Sequence, residues 1–157
     1  MDQAALLDAY LGGPGRLRSA VTGLSREQLV SRPIAGRWSV LEVVCHLTDT
    51  DANIAHRIKR VLSEDCPTFE RVQPDRMLAA LAYHERDVEE ELRIFDLTRR
   101  QIGRILRASP SEAWERTGVV GDRGDRSVGH MISGAVEHLA HHHGFVIEKR
   151  RALGIDE

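Results

Sequence analysis

The chain has only two cysteines, Cys45 and Cys66, and no CxxC pair. That excludes a disulfide framework and a cysteine-built zinc finger, and it suits a reducing compartment. Lysine is nearly absent: of 22 basic residues, only Lys59 and Lys149 are not arginine. The arginines are scattered among nearby acids, no block of one sign occurs, and the formal net charge is -2. A nucleic-acid binder needs a concentrated cationic face to displace counterions from phosphates, so no nucleic-acid partner is expected. No apolar run reaches membrane-spanning length, and Met1-Asp2-Gln3 does not open a signal peptide. The expectation is a cytoplasmic protein with no membrane partner. Glycine-rich phosphate loops, a GxSxG elbow and a complete HExxH are also missing. No glutamate has a histidine three residues later, which disfavours a di-iron carboxylate bundle. No segment reads as a β-strand, and there is no internal repeat.

What is present is helix. The 157 residues are the usual size of one domain, read as a single unit over 1–157. Folding such a chain buries roughly 68–70% of its extended surface, enough for one core. Leu6, Leu7, Tyr10 and Leu11, then Leu17, Ala20, Val21 and Leu24, give a first helix kinked or split at Gly12-Gly13-Pro14-Gly15. Ser39-Val40-Leu41-Glu42 has the form of a capping box and starts a second helix that runs to about Leu62. Asp75 is placed to cap a long third helix, whose stripe is Leu78, Leu81, Val88, Leu92, Phe95, Ile102 and Leu106. Ser109-Pro110-Ser111-Glu112 marks a short extra helical turn. Gly118 to Asp125 reads as loop, within which Arg123-Gly124-Asp125 matches an adhesion tripeptide by chance. Ser127 caps a last helix that ends in Lys149, Arg150 and Arg151 before Gly154. The fold class is all-α, a four-helix bundle of antiparallel or mixed sense.

Chemistry concentrates in His138-Leu139-Ala140-His141-His142-His143-Gly144. Residues four apart share a helix face, so two imidazoles at that spacing can converge on one metal ion. Val128, Met131, Ala135, His138, His142 and Phe145 form one line of alternating three and four steps. That line turns His138 and His142 inward and leaves His141 and His143 off it. Inward imidazoles need partners, because an unpaired buried nitrogen costs roughly 1–3 kcal/mol. A satisfied core pair or an exposed histidine patch are the competing readings, and the patch leaves the alignment unexplained. A third ligand must come from elsewhere. His46 lies in the second helix on a polar line with Glu42, Asp49 and Asn53, which equally describes a solvated helix edge. His56 sits beside Arg57 on an outer face, His84 lacks the second histidine of an HExxH, and His130 is near the start of its helix and off the inward line.

Trp38-Ser39 followed by Glu42 and His46-Leu47, together with His138-x-x-x-His142-His143-Gly144, resemble the DinB-like superfamily, the DinB/YfiT group of metal-dependent bundle proteins. The resemblance spans nearly the whole chain. It implies a divalent ion held by His46, His138 and His142, with zinc or nickel first and iron or manganese as alternatives. Glu42 and Asp49 are expected to orient His46. The resemblance further implies a small-molecule substrate, with a low-molecular-weight thiol transferred to an electrophile. Metal-dependent hydrolysis is the alternative, as is a non-enzymatic, dimeric metal-binding protein of the stress response. A homodimer is expected because members of that group often pair. Members often carry arginine where His143 stands, so the usual role of that side chain is not carried over.

Overall fold

In a computed structural model that describes residues 2–155, four long helices make the bundle. They are α1 (Gln3–Val21), α3 (Val40–Ser63), α5 (Val88–Ala108) and α6 (Val128–Ala152). Two short helices, α2 (Arg26–Val30) and α4 (Pro74–Ala80), sit in the connections. Each of α1 and α3 packs against both α5 and α6. Cross-helix pairs give the sense of the bundle. Arg18 meets Glu89 while Asp8 meets Arg107, so α1 and α5 are antiparallel. Thr48 bonds the Glu91 carbonyl and Lys59 bonds Gln101, so α3 and α5 run together. The bundle is therefore mixed, and it makes α3 and α6 neighbours.

The first helix is neither split nor interrupted: Pro14 lies inside it. Proline has no N–H to give to the carbonyl four residues back, here that of Tyr10. Arg99 Nη1 donates to that carbonyl instead, at 2.9 Å. Gly13 leaves the room for this, since a Cβ there would overlap Arg99 Nη1 and come within 2.6 Å of Leu139 Cδ2. Gly13→Ala should cost about 1–3 kcal/mol by overpacking, seen as a lower denaturant midpoint, although alanine is the better helix former.

The long third helix breaks in two. Ala82 adopts a left-handed backbone (φ 47°), Tyr83–Glu85 forms a single 3-10 turn, and α5 begins afresh with Asp87 accepting from Glu90 N–H. The cap of α4 is Gln73 with Pro74 at its first position, not Asp75, and Leu81 of the expected stripe is 44% exposed. The break seats Tyr83 in the core beside Cys45 and Leu92.

Strands form where loop was expected, in and beside Gly118 to Asp125 and also between Cys66-Pro67 and Gln73-Pro74. β1 (Thr68–Phe69), β2 (Thr117–Val120) and β3 (Asp125–Ser127) form a three-stranded sheet, β1 parallel and β3 antiparallel to β2. Gly118 permits the close approach, because a Cβ there would lie 2.8 Å from the Pro67 carbonyl oxygen. Gly121 and Gly124, at φ 46° and 68°, make the turn between β2 and β3. The expected short turn before it is a 3-10 segment, Ser111–Glu115, whose Trp114 enters the core. β3 leads directly into α6, whose cap is Ser127 as expected.

At mid-bundle, Arg99 is 1% exposed and pairs with buried Asp51 through two 2.9 Å bonds, Nε to Oδ2 and Nη2 to Oδ1. The guanidinium also donates to the Ala135 carbonyl and lies between the Tyr10 and Phe95 rings. One side chain thus ties α5 to α1, α3 and α6. No helix among the described residues is long and apolar enough to cross a membrane.

Candidate metal centre

The capping box fixes the start of α3: Ser39 Oγ accepts from Glu42 N–H at 3.1 Å, and Glu42 Oε2 accepts from Ser39 N–H at 2.7 Å. Two turns later His46 points inward and is 5% exposed, so it is not on a solvated edge. It faces His138 and His142, one turn apart on α6. Ring centroids are 4.9 Å apart for His46 and His138, 4.8 Å for His46 and His142, and 4.5 Å for His138 and His142. The Nε2 atoms of His46 and His138 are 3.0 Å apart. Each of the three rings offers a nitrogen within 4.8 Å of the others, the one such cluster among the described residues.

The donors suit a divalent ion. Two nitrogens each ~2.0–2.1 Å from one zinc ion lie roughly 3.0–3.4 Å apart, which matches the 3.0 Å separation of the two Nε2 atoms. His142 Nδ1 is buried with no hydrogen-bond partner, a nitrogen left wanting one. Burial, then the charge of neighbouring imidazoles, pushes His138 down to about 4 and His142 to about 3; burial also lowers His46. All three are neutral at pH 7 and keep a lone pair for coordination.

The sign of the resulting pH dependence follows. The unfolded chain takes up protons near the ordinary histidine value of about 6.5, while the folded chain resists them. Stability of the metal-free protein should be full above pH about 6.5 and fall progressively as pH drops toward 4. Urea midpoints measured across that window should fall toward acid, and a His138→Gln, His142→Gln variant should flatten the slope.

Neither carboxylate expected to orient His46 touches it. Glu42 is held by Arg32 through Nη2 at 2.5 Å and Nε at 3.1 Å, as well as by Ser39. Asp49 is gripped by both terminal nitrogens of Arg86, at 3.0 and 3.3 Å, and reaches His46 only through its field. The partner of His46 Nδ1 is the Thr50 hydroxyl, 3.5 Å away, and the Trp38 ring packs edge-on at 5.2 Å. Thr50 lies one turn beyond His46 on α3, a spacing from which it was findable in the sequence. His141 is exposed beside His142 and Phe145; His56, His84 and His130 lie outside the cluster.

Two cavities reach the centre. A cleft of about 590 Å³ is lined by His46 and His138, and a smaller one of about 250 Å³ by His142, Trp38, Phe145 and Lys149. Neither is lined by a cysteine. Cys45 is buried, donates to the Tyr83 carbonyl at 3.7 Å, and has its thiol pushed up to about 12 by burial, so it is no nucleophile.

A bundle whose adjacent helices bring three imidazoles within reach of one another defines a helical protein with a candidate metal centre between its helices. Within that class the sequence model of the DinB superfamily matches residues 10–146, and the chain belongs to that superfamily. The Bacillus subtilis protein YfiT, described as "a probable metal-dependent hydrolase with an unusual four-helix bundle topology", superimposes with a TM-score of 0.91 at 21% identity. The match covers 99% of this chain and 91% of that one. A "Putative metal-dependent hydrolase" of Oceanobacillus iheyensis is 27% identical over 82% of this chain and 74% of its own length. Another so named, from Geobacillus kaustophilus, is 45% identical over 60 residues, 38% of this chain and only 34% of that relative's length.

Proposed function

We propose that His46, His138 and His142 hold a divalent ion, zinc or nickel before iron or manganese, and that the protein is an enzyme acting on a small molecule. The leading reading is transfer of a low-molecular-weight thiol to an electrophile. Three imidazoles leave coordination positions open, as in catalytic rather than closed structural sites. Bound there, the ion supplies Lewis acidity, enough to bring water to a pKa of ~7 or to hold a thiol as its thiolate.

The observation that carries the reading is the trio of imidazoles within reach of one another beside two cavities, neither lined by a cysteine that could act as a protein nucleophile. Glu42 is committed to Arg32 and Ser39, and Asp49 to Arg86. Glu137, on the cleft wall, accepts from Ser133 at 2.9 Å. Among the described residues Glu137, exposed and bonded only to a serine hydroxyl, is the one carboxylate lining the cleft; a thiol bound to the ion would need no such base. The chain's own work is then to orient His46 through Thr50, keep the imidazoles neutral by burial, and receive the electrophile in the cleft. The names of the relatives favour hydrolysis as the second reading.

The test mixes metal-loaded protein with a thiol and a model electrophile such as chlorodinitrobenzene. Thiol consumption that requires both the ion and His46 is expected. Ester turnover without thiol would replace transfer by hydrolysis. Neither activity in fully loaded protein would leave a non-enzymatic metal-binding bundle.

A further inference from the structure

We propose that the cleft opening onto His46 and His138 contains an oxyanion subsite in which Arg57, Arg123 and Arg126 hold a carboxylate or phosphate group of the substrate. Its role as a substrate subsite rests on reading the histidine centre as the place of reaction. The cleft is lined by four arginines and one acid, Glu137. Arg71 is the arginine already neutralised, by Asp122 at 3.1 Å. The other three have no carboxylate partner among the described residues. Arg57 Nη2 donates to the Glu70 carbonyl, Arg126 Nη1 to the Asp125 carbonyl, and Arg123 makes no side-chain hydrogen bond among the described residues. Arg57 is half-buried, and its guanidinium is pushed down first by burial and then by the charge of Arg123. Positive charges thus gather along one cleft whose single lining acid is Glu137.

The fold explains the gathering. Arg57 comes from α3, three turns beyond His46, while Arg123 and Arg126 are carried by the turn after β2 and by β3. The small sheet thus brings two cations to the cleft that the bundle's helices alone would not provide. Cations along a cleft focus field on an entering anion; Arg57 and Arg126 are half-buried there and Arg123 is exposed. Arginine's planar fork matches carboxylate and phosphate equally. A cleft of about 590 Å³ is also the size that takes a small organic molecule.

Titration calorimetry at low ionic strength, on the full chain both metal-loaded and metal-free, tests this with succinate, inorganic phosphate and neutral succinamide. Succinate or phosphate should bind both forms, whichever is tighter naming the preferred group, and added salt should weaken it. Succinamide should not bind. Arg123→Gln with Arg126→Gln should weaken the anion by roughly a hundredfold, about tenfold per lost charge-assisted contact. Arg93→Gln with Arg104→Gln, on α5 away from the cleft lining, removes the same charge and should change nothing. Equal affinity for succinamide, binding only to the metal-loaded form, or no effect of the Arg123 and Arg126 changes would overturn the subsite. Metal content of the same samples separates the two ideas: a chain that binds succinate yet takes up no ion keeps the subsite and loses the reaction centre.

Discussion

Arg99→Ala should lower the unfolding free energy by about 3–5 kcal/mol, the cost of leaving one member of a buried ion pair without the other. In this chain the loss is compounded. Asp51, 3% exposed, would keep only the Tyr10 hydroxyl at 3.3 Å. The Tyr10 carbonyl, which Pro14 cannot serve, would lose its donor, and the Ala135 carbonyl would lose an added one. For a domain of this size the thermal midpoint should drop by roughly 6–20 °C. Arg99→Met combined with Asp51→Leu should cost less than Arg99→Ala alone, because no charge is then stranded. A double variant as unstable as the single would show that packing around the guanidinium, rather than the charge pair, holds the four helices.

His138→Ala should weaken divalent-ion binding by more than about a hundredfold. Losing only a hydrogen-bond partner of a ligand costs about 10–100-fold, and here the ligand itself goes. His46→Ala should do the same from the other helix. Competition with a chromogenic chelator measures both, and far-UV circular dichroism establishes that the bundle persists. Removing His141, which is exposed and outside the cluster, should leave affinity nearly unchanged.

The parts legible in the sequence are those fixed locally. Ser39 and Glu42 specify a capping box within four residues, and Ser127 and Gly154 bound α6 by the same short-range rules. His138 and His142 were separable from His141 and His143 because helical periodicity turns side chains predictably. The alternatives left open around His46 needed tertiary contact, since a polar line along a helix looks the same beside solvent as beside another helix. β2 and β3 were missed because three glycines punctuate Gly118 to Asp125, and β1 because two residues are too few to show an alternation. Only the contact with Pro67 shows that Gly118 sits in a packed strand rather than in a loop. The break at Ala82 is set by the core position of Tyr83, which no local rule supplies. Arg99 was detectable in principle, since it continues the stripe of Phe95 and Ile102, where a charged residue demands a buried partner. Its answer to the missing N–H of Pro14 depends on a helix 85 residues away in the chain.

The most direct measurement is an anomalous-scattering experiment on crystals grown with zinc or nickel, collected on both sides of the absorption edge. One strong peak should lie within about 2.0–2.3 Å of a ring nitrogen from each of His46, His138 and His142. A peak bound by the α6 histidines alone, with His46 turned to another partner, would contradict the shared centre on which the proposed chemistry stands.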